Sequence, residues 1–95
     1  MATYVFLVSL TEKGKSHFDE VRKGGKYISE LIKSLGGESK GGFMTLGRFD
    51  IVEIAELPND LAALKVSMKN SENGYANVET LKGFSEKETE FSVPG

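Results

Sequence analysis

The sequence predicts an α+β domain of order βαββαβ: a four-stranded antiparallel sheet with two helices on one face. Three features point there. Residues 3–10 read as a strand whose alternating faces are both apolar, helical periodicity recurs in two separate stretches, and two strand-like runs meet at Gly47 as a hairpin.

The first strand sets Tyr4, Phe6, Val8 and Leu10 on one face and Val5 and Leu7 on the other. A strand apolar on both sides needs cover on both, so it belongs at the centre of the sheet. Thr11-Glu12-Lys13-Gly14 reads as a turn. Phe18, Val21, Ile28, Leu31, Ile32 and Leu35 then recur mostly at three- and four-residue steps, which makes one helical stripe. Gly24-Gly25 interrupts the stripe, at roughly 1 kcal/mol per glycine relative to alanine. The expected main helix therefore runs from about Gly25 to Leu35, with 16–23 a separate short turn of helix. Gly36-Gly37 ends it, because glycine accepts the left-handed conformation found after helices.

Residues 38–46 read as the second strand, weakened at Gly41-Gly42, where a bulge is expected. Gly47-Arg48-Phe49 is a tight connection to the third strand, 50–57. Pro58-Asn59-Asp60 opens the second helix: proline loses nothing at a helix start, and Asn or Asp can cap. Leu61, Leu64, Val66 and Met68 form its expected apolar side, and Asn70–Gly74 ends it. The fourth strand covers 75–84. Ser85 then caps a short acidic helix reaching about Phe91. The expected domain is 1–84, with 85–95 as a tail.

Short connections and right-handed crossovers put the first and third strands in the centre, the ferredoxin-like arrangement. Two helices shield only one sheet face. The other keeps half the apolar residues of the central strands, each worth roughly 1.5–3 kcal/mol when buried. Left wet in one patch they invite aggregation, and pairing two sheets face to face removes the patch. A homodimer or higher oligomer is expected. The alternative cover is the tail, with Phe91 and Val93.

A single domain of 95 residues leaves much of its surface wet, which also favours self-association. At 39% hydrophobic and 27% charged, the chain reads as an ordinary soluble globular protein. Its longest apolar run, Tyr4-Val5-Phe6-Leu7-Val8, is too short to span a bilayer and follows no basic region, which argues against a signal peptide. A net charge of -2, with Glu12, Asp19 and Glu20 among the basic residues, disfavours phosphate-driven nucleic-acid binding. The absence of cysteine removes disulfides, thiolate metal sites and a thiol nucleophile, and fits a cytoplasmic protein. Gly14-Lys15-Ser16 spells the end of a phosphate loop, but the glycine needed five residues earlier is Ser9, so a turn is the reading. The third strand has no aromatic set of the kind RNA-recognition domains use. No cofactor, metal, nucleic acid or membrane partner is expected.

Gly36-Gly37, Lys40-Gly41, Thr45-Leu46-Gly47-Arg48-Phe49-Asp50-Ile51-Val52 and Glu79-Thr80-Leu81-Lys82-Gly83-Phe84, with the opening Thr3-Tyr4-Val5 and the Thr11–Gly14 turn, carry a resemblance. Together they resemble the GYD-domain family from about residue 3 to residue 84. That family is named for a Gly-Tyr-Asp signature at this hairpin. Here Gly47 and Asp50 match and Phe49 stands at the tyrosine position, keeping the aromatic body without the hydroxyl. The hairpin also resembles one in the effector-binding domains of leucine-responsive transcription regulators, which pair through their sheets and bind amino acids between subunits. The wider dimeric α/β-barrel group includes small oxygenases and isomerases. The resemblance implies a paired-sheet fold, and the family brings no established activity.

The hairpin has a structural reading, in which Gly47 reverses the chain, Asp50 accepts from the turn's backbone amides and Phe49 anchors the turn. Its functional reading sets Arg48 and Asp50 at a subunit boundary, where Arg48 clamps a carboxylate ligand. Glu53, within Ile51-Val52-Glu53-Ile54-Ala55, is the carboxylate most exposed to desolvation. It is expected in a sheet–sheet cavity with a raised pKa, the alternative being that it reaches solvent or a salt bridge at the dimer face. Glu79 on the fourth strand is a second such candidate. His17, the lone histidine, reads as a surface residue, with general base as the alternative. Tyr27 and Tyr75 read as interfacial packing with hydroxyls able to orient a ligand. The expected function is an oligomeric domain binding a small, carboxylate-bearing molecule between subunits. The alternatives are an isomerase or cofactor-free oxygenase using Glu53 or His17, and a purely structural assembly module.

Overall fold

A computed structural model of the chain describes residues 1–90. Strands β1 (Ala2–Leu10), β2 (Glu38–Met44), β3 (Ile51–Leu57) and β4 (Ala76–Gly83) form one antiparallel sheet in the order β2-β3-β1-β4. Helices α1 (Glu12–Ser16), α2 (Phe18–Ser34) and α3 (Asp60–Ser71) and a 3₁₀ turn at Lys87–Thr89 complete it. The ferredoxin-like α+β plan is present, with the doubly apolar β1 and its partner β3 in the centre.

Register decides which side chains share a face. Tyr4 pairs with Ala55 and Lys82, Phe6 with Glu53 and Thr80, and Val8 with Ile51 and Val78. This set faces the helices: Tyr4, Phe6, Ala55 and Leu57 are buried in one cluster with Ile28 and Ile32 of α2 and Ala62, Ala63 and Val66 of α3. Val5, Leu7, Val52 and Ile54 alternate to the opposite face and are only half-buried. No helix of the described residues covers that face. Phe91 and Val93, the alternative cover, lie outside the described residues.

Several elements depart from expectation. Thr11 to Gly14 is not a plain turn but the start of α1, capped by Thr11, whose Oγ1 accepts from the Gly14 amide at 3.1 Å and donates to the Gly74 carbonyl at 2.7 Å. Glycine is required at 14 by close approach: a Cβ there would lie 2.0 Å from the Tyr75 carbonyl oxygen. Helix α2 runs unbroken through Gly24-Gly25, because the apolar stripe on both sides packs on the sheet and outweighs the glycine propensity cost. It ends as expected. Gly36, at φ +84°, lets the Gly37 amide reach Ile32 O at 2.9 Å and the Gly36 amide reach Lys33 O at 3.0 Å.

The bulge is present as a register shift between Ser39 and Gly41. The β2–β3 connection is wider than expected, from Thr45 to Asp50. Helix α3 is capped by Asn59, which accepts from the Ala62 amide at 2.9 Å, but its buried side is a correction. Ala62, Ala63 and Val66 face the core, and Leu61, Leu64 and Met68 are exposed. Small residues let α3 approach the sheet closely, and that contact prevails over side-chain hydrophobicity. Ser85 caps as expected, its Oγ accepting from the Glu88 amide at 3.1 Å, but the helix within the described residues is one 3₁₀ turn. No helix of the described residues is long and apolar enough to cross a membrane.

Candidate functional site

The α2 stripe that packs on the sheet runs through Val21, positions 24 and 25, Ile28 and Ile32, at helical steps of three and four. Glycine at 24 and 25 deletes two side chains from the middle of that stripe. Neither glycine has a positive φ, and a Cβ added to either would meet nothing within 4 Å. They are therefore required neither by backbone conformation nor by crowding. What they leave is a cleft of about 350 Å³ between α2, the end of α3 and the sheet. Its apolar wall includes Val8, Leu10, Phe18, Val21, Ile28 and Ile51, and Tyr27 and Tyr75 add aromatic surface. A second hollow of about 390 Å³ lies under α2 and β2, and the two share Gly25, Met44, Ile51 and Glu53.

Glu53 thus stands where both hollows meet. The sequence grouped it correctly with Ile51 and Ala55, but that face looks at the helices. Glu53 does not enter a sheet–sheet cavity, because pairing opposite Phe6 turns it inward. Among the described residues it has no ion-pair partner. Burial pushes its carboxyl above the ordinary carboxylate range, and the Asn70 amide beside it takes back part of that rise. The Asn70 Nδ2 is itself buried and makes no hydrogen bond of acceptable geometry to a described residue. A lining cation, Lys69, is engaged with Glu72 at 3.1 Å.

The other candidates lie elsewhere. Asp50 does not accept from its own turn; its Oδ2 accepts from the Leu10 amide of β1 at 2.8 Å, while its own amide donates to Val8 O at 2.8 Å. It staples the hairpin to the central strand. Arg48 is exposed, its guanidinium 5.8 Å from the Phe49 ring centre. Glu79 alternates to the helix-free face, opposite Leu7. His17 is exposed between α1 and α2, its ring stacked on Tyr75 at 5.3 Å, so it reaches the cleft only by supporting one wall. None of these four lines either hollow. No group of three or more metal-ligating side chains occurs among the described residues.

Two contributors were misread in the sequence. Asn70 looked like a helix terminator, although its spacing from Ala63 and Val66 puts it on the buried stripe of α3. Gly24-Gly25 looked like a break, although both fall at stripe positions between Val21 and Ile28. In each case the signal was a wrong residue type on a correct period. A family model described as the GYD domain matches residues 4–92. No curated protein and no solved structure matches the chain.

Proposed function

The chain belongs to the GYD domain family, and from that premise and the geometry of the helix-side cleft we propose that it is a small-molecule-binding domain whose ligand sits against Glu53. The observation that carries this is a carboxyl group without a counter-charge at the floor of an apolar cleft that two mid-helix glycines hold open. Clefts of this size, apolar with a few convergent polar groups, suit small ligands. A purely structural module has no use for such a gap. Thermal shift against amino acids, organic acids and neutral heterocycles tests the reading. A ligand at about a hundred times its Kd stabilises by about 2.7 kcal/mol, or about 10 °C or more for a domain this small. That shift should vanish in Gly25→Leu, which fills the cleft. If no compound shifts the wild type, or if Gly25→Leu shifts equally, the site is elsewhere.

Self-association across the helix-free sheet face belongs to the same proposal. Its support is the row Val5, Leu7, Val52 and Ile54 on the face away from the helices, each only half-buried. Sedimentation equilibrium of wild type against Ile54→Lys checks it, a dimer becoming a monomer. Carboxylate capture at a subunit boundary keeps the support of an exposed Arg48 with no ion-pair partner among the described residues.

A second reading, an isomerase that moves a proton through Glu53, is favoured by the placement of that carboxyl in a cleft. A carboxylate of raised pKa is a competent base toward an acidic C–H and can return the same proton to a neighbouring carbon. Exchange of deuterium into a carbon acid, lost in Glu53→Gln, separates this reading from binding alone.

A further inference from the structure

The inner end of the cleft has a hydrogen-bonding pattern, and the pattern names a ligand chemistry. Asn70 brings a buried Nδ2 donor that is near enough to Glu53 to lower its carboxyl pKa, yet makes no hydrogen bond of acceptable geometry to a described residue. Glu53 stands beside it with no cation to neutralise it. Lys69 is paired with Glu72, and the lining Arg22 is exposed, so an anion at the floor would meet the Glu53 carboxyl with no buried cation to offset it. Around this pair the walls are aliphatic and aromatic, with Tyr75 held in place by the stacked ring of His17.

Resting on the reading of the cleft as a binding site, we infer that it takes a neutral, flat, largely apolar molecule whose single polar edge sets a hydrogen-bond donor beside an acceptor, as a cyclic amide does. The ligand carbonyl accepts from Asn70 Nδ2, and the adjacent N–H donates to Glu53. An unmet buried donor penalises any ligand lacking the acceptor, and an uncompensated carboxylate penalises any ligand bringing a second negative charge. The gap at Gly24-Gly25 admits the flat body of the molecule.

The test titrates the ¹⁵N-labelled full chain with 2-quinolone, N-methyl-2-quinolone, quinoline-2-carboxylate and naphthalene. It follows the amide signals of Gly24 and Gly25, with Gly83 of β4, far from the cleft lining, as reference. The expected result is that 2-quinolone moves Gly24 and Gly25 but not Gly83, and binds about tenfold or more tighter than the other three, the factor an ordinary hydrogen bond gives. Glu53→Gln, which still presents an acceptor with a donor beside it, should bind within about threefold of wild type, whereas Glu53→Leu and Asn70→Leu, shown folded by their own spectra, should each lose about tenfold. Naphthalene or the carboxylate binding the cleft as tightly as 2-quinolone overturns the ligand class and leaves the site standing. If none of the four moves Gly24 or Gly25, the ligand class and the binding site fall together.

Discussion

The helix-covered face of the sheet ends in two different ways. At one end, Tyr4, Ala55 and Leu57 are buried in one cluster with Ile32, Ala62 and Val66, and the Tyr4 hydroxyl has a partner. The Tyr4 hydroxyl donates to Asp60 Oδ1 at 2.5 Å, Lys82 reaches the same oxygen at 3.0 Å, and Asn59 caps the helix that carries Asp60. At the other end the same two central strands present Val8, Ile51 and Glu53 beneath two glycines; Glu53 has only the Asn70 amide beside it, and the Asn70 Nδ2 makes no hydrogen bond of acceptable geometry to a described residue. The carboxyls record the contrast. The Tyr4 hydroxyl and Lys82 hold Asp60 below its ordinary range, while burial holds Glu53 above its own. Full packing at one end stabilises the fold, so the other end can keep hydrogen-bonding capacity unused.

The largest test of this contrast is truncation at each end. Leu57→Ala removes a fully buried side chain from the closed end and should cost about 2–5 kcal/mol in urea denaturation, transfer and cavity terms together. Ile51→Ala borders space that is already open, so only the transfer term applies, about 1 kcal/mol. Equal costs would mean that the second end is as tightly packed as the first.

Asp50→Ala should fall between them, at about 1–3 kcal/mol, because it strips a partner from the Leu10 amide and frees the hairpin from β1. Asp50→Asn keeps an acceptor and should recover most of that loss. If both variants match wild type, the staple is not what fixes the hairpin.

The pH dependence of the two carboxyls should have opposite sign. Asp60 has a lowered folded pKa, so its contribution is present above the unfolded value of 3.8 and lost as pH falls through the lowered one. Glu53 has a raised folded pKa, so its contribution is present below 4.5 and lost as pH rises through the raised value. Urea midpoints from pH 3 to 8 should therefore show Glu53→Gln gaining on wild type as pH rises. Asp60→Asn should lose on wild type as pH rises and converge with it in acid. The same trend in both variants would erase the distinction. Tyr4, pushed up to about 12 chiefly by its bond to Asp60, adds stability that is full below 10.0 and lost as pH rises through about 12.

How much of this was legible depended on the range of the interaction. The two faces of β1, the Asn59 cap, the Gly36 terminus and the bulge near Gly41 are local, and the sequence displays them. The side on which Glu53 lies is set by its pairing with Phe6, a long-range register in which one residue of slip inverts every side chain. The burial of Ala62 and Ala63 over Leu61 and Leu64 reflects helix-to-sheet distance, which no hydrophobicity ranking contains. Asp50 was read within its own turn because its true partner, the Leu10 amide, comes from another strand.

The smallest effect probes the glycines themselves. A residue in a helix interior gains up to about 1 kcal/mol on replacement of glycine by alanine, through lower unfolded-state entropy and better helix propensity. Gly24 and Gly25 have helical neighbours on both sides and open space where a Cβ would go. Gly24→Ala and Gly25→Ala should each raise the urea midpoint slightly and narrow the cleft. A rise in stability would mean that glycine stands there against the interest of the fold, which leaves the open space as its reason. A fall would mean that the helix needs glycine at these positions, and the open end would then be a by-product of α2 rather than a site.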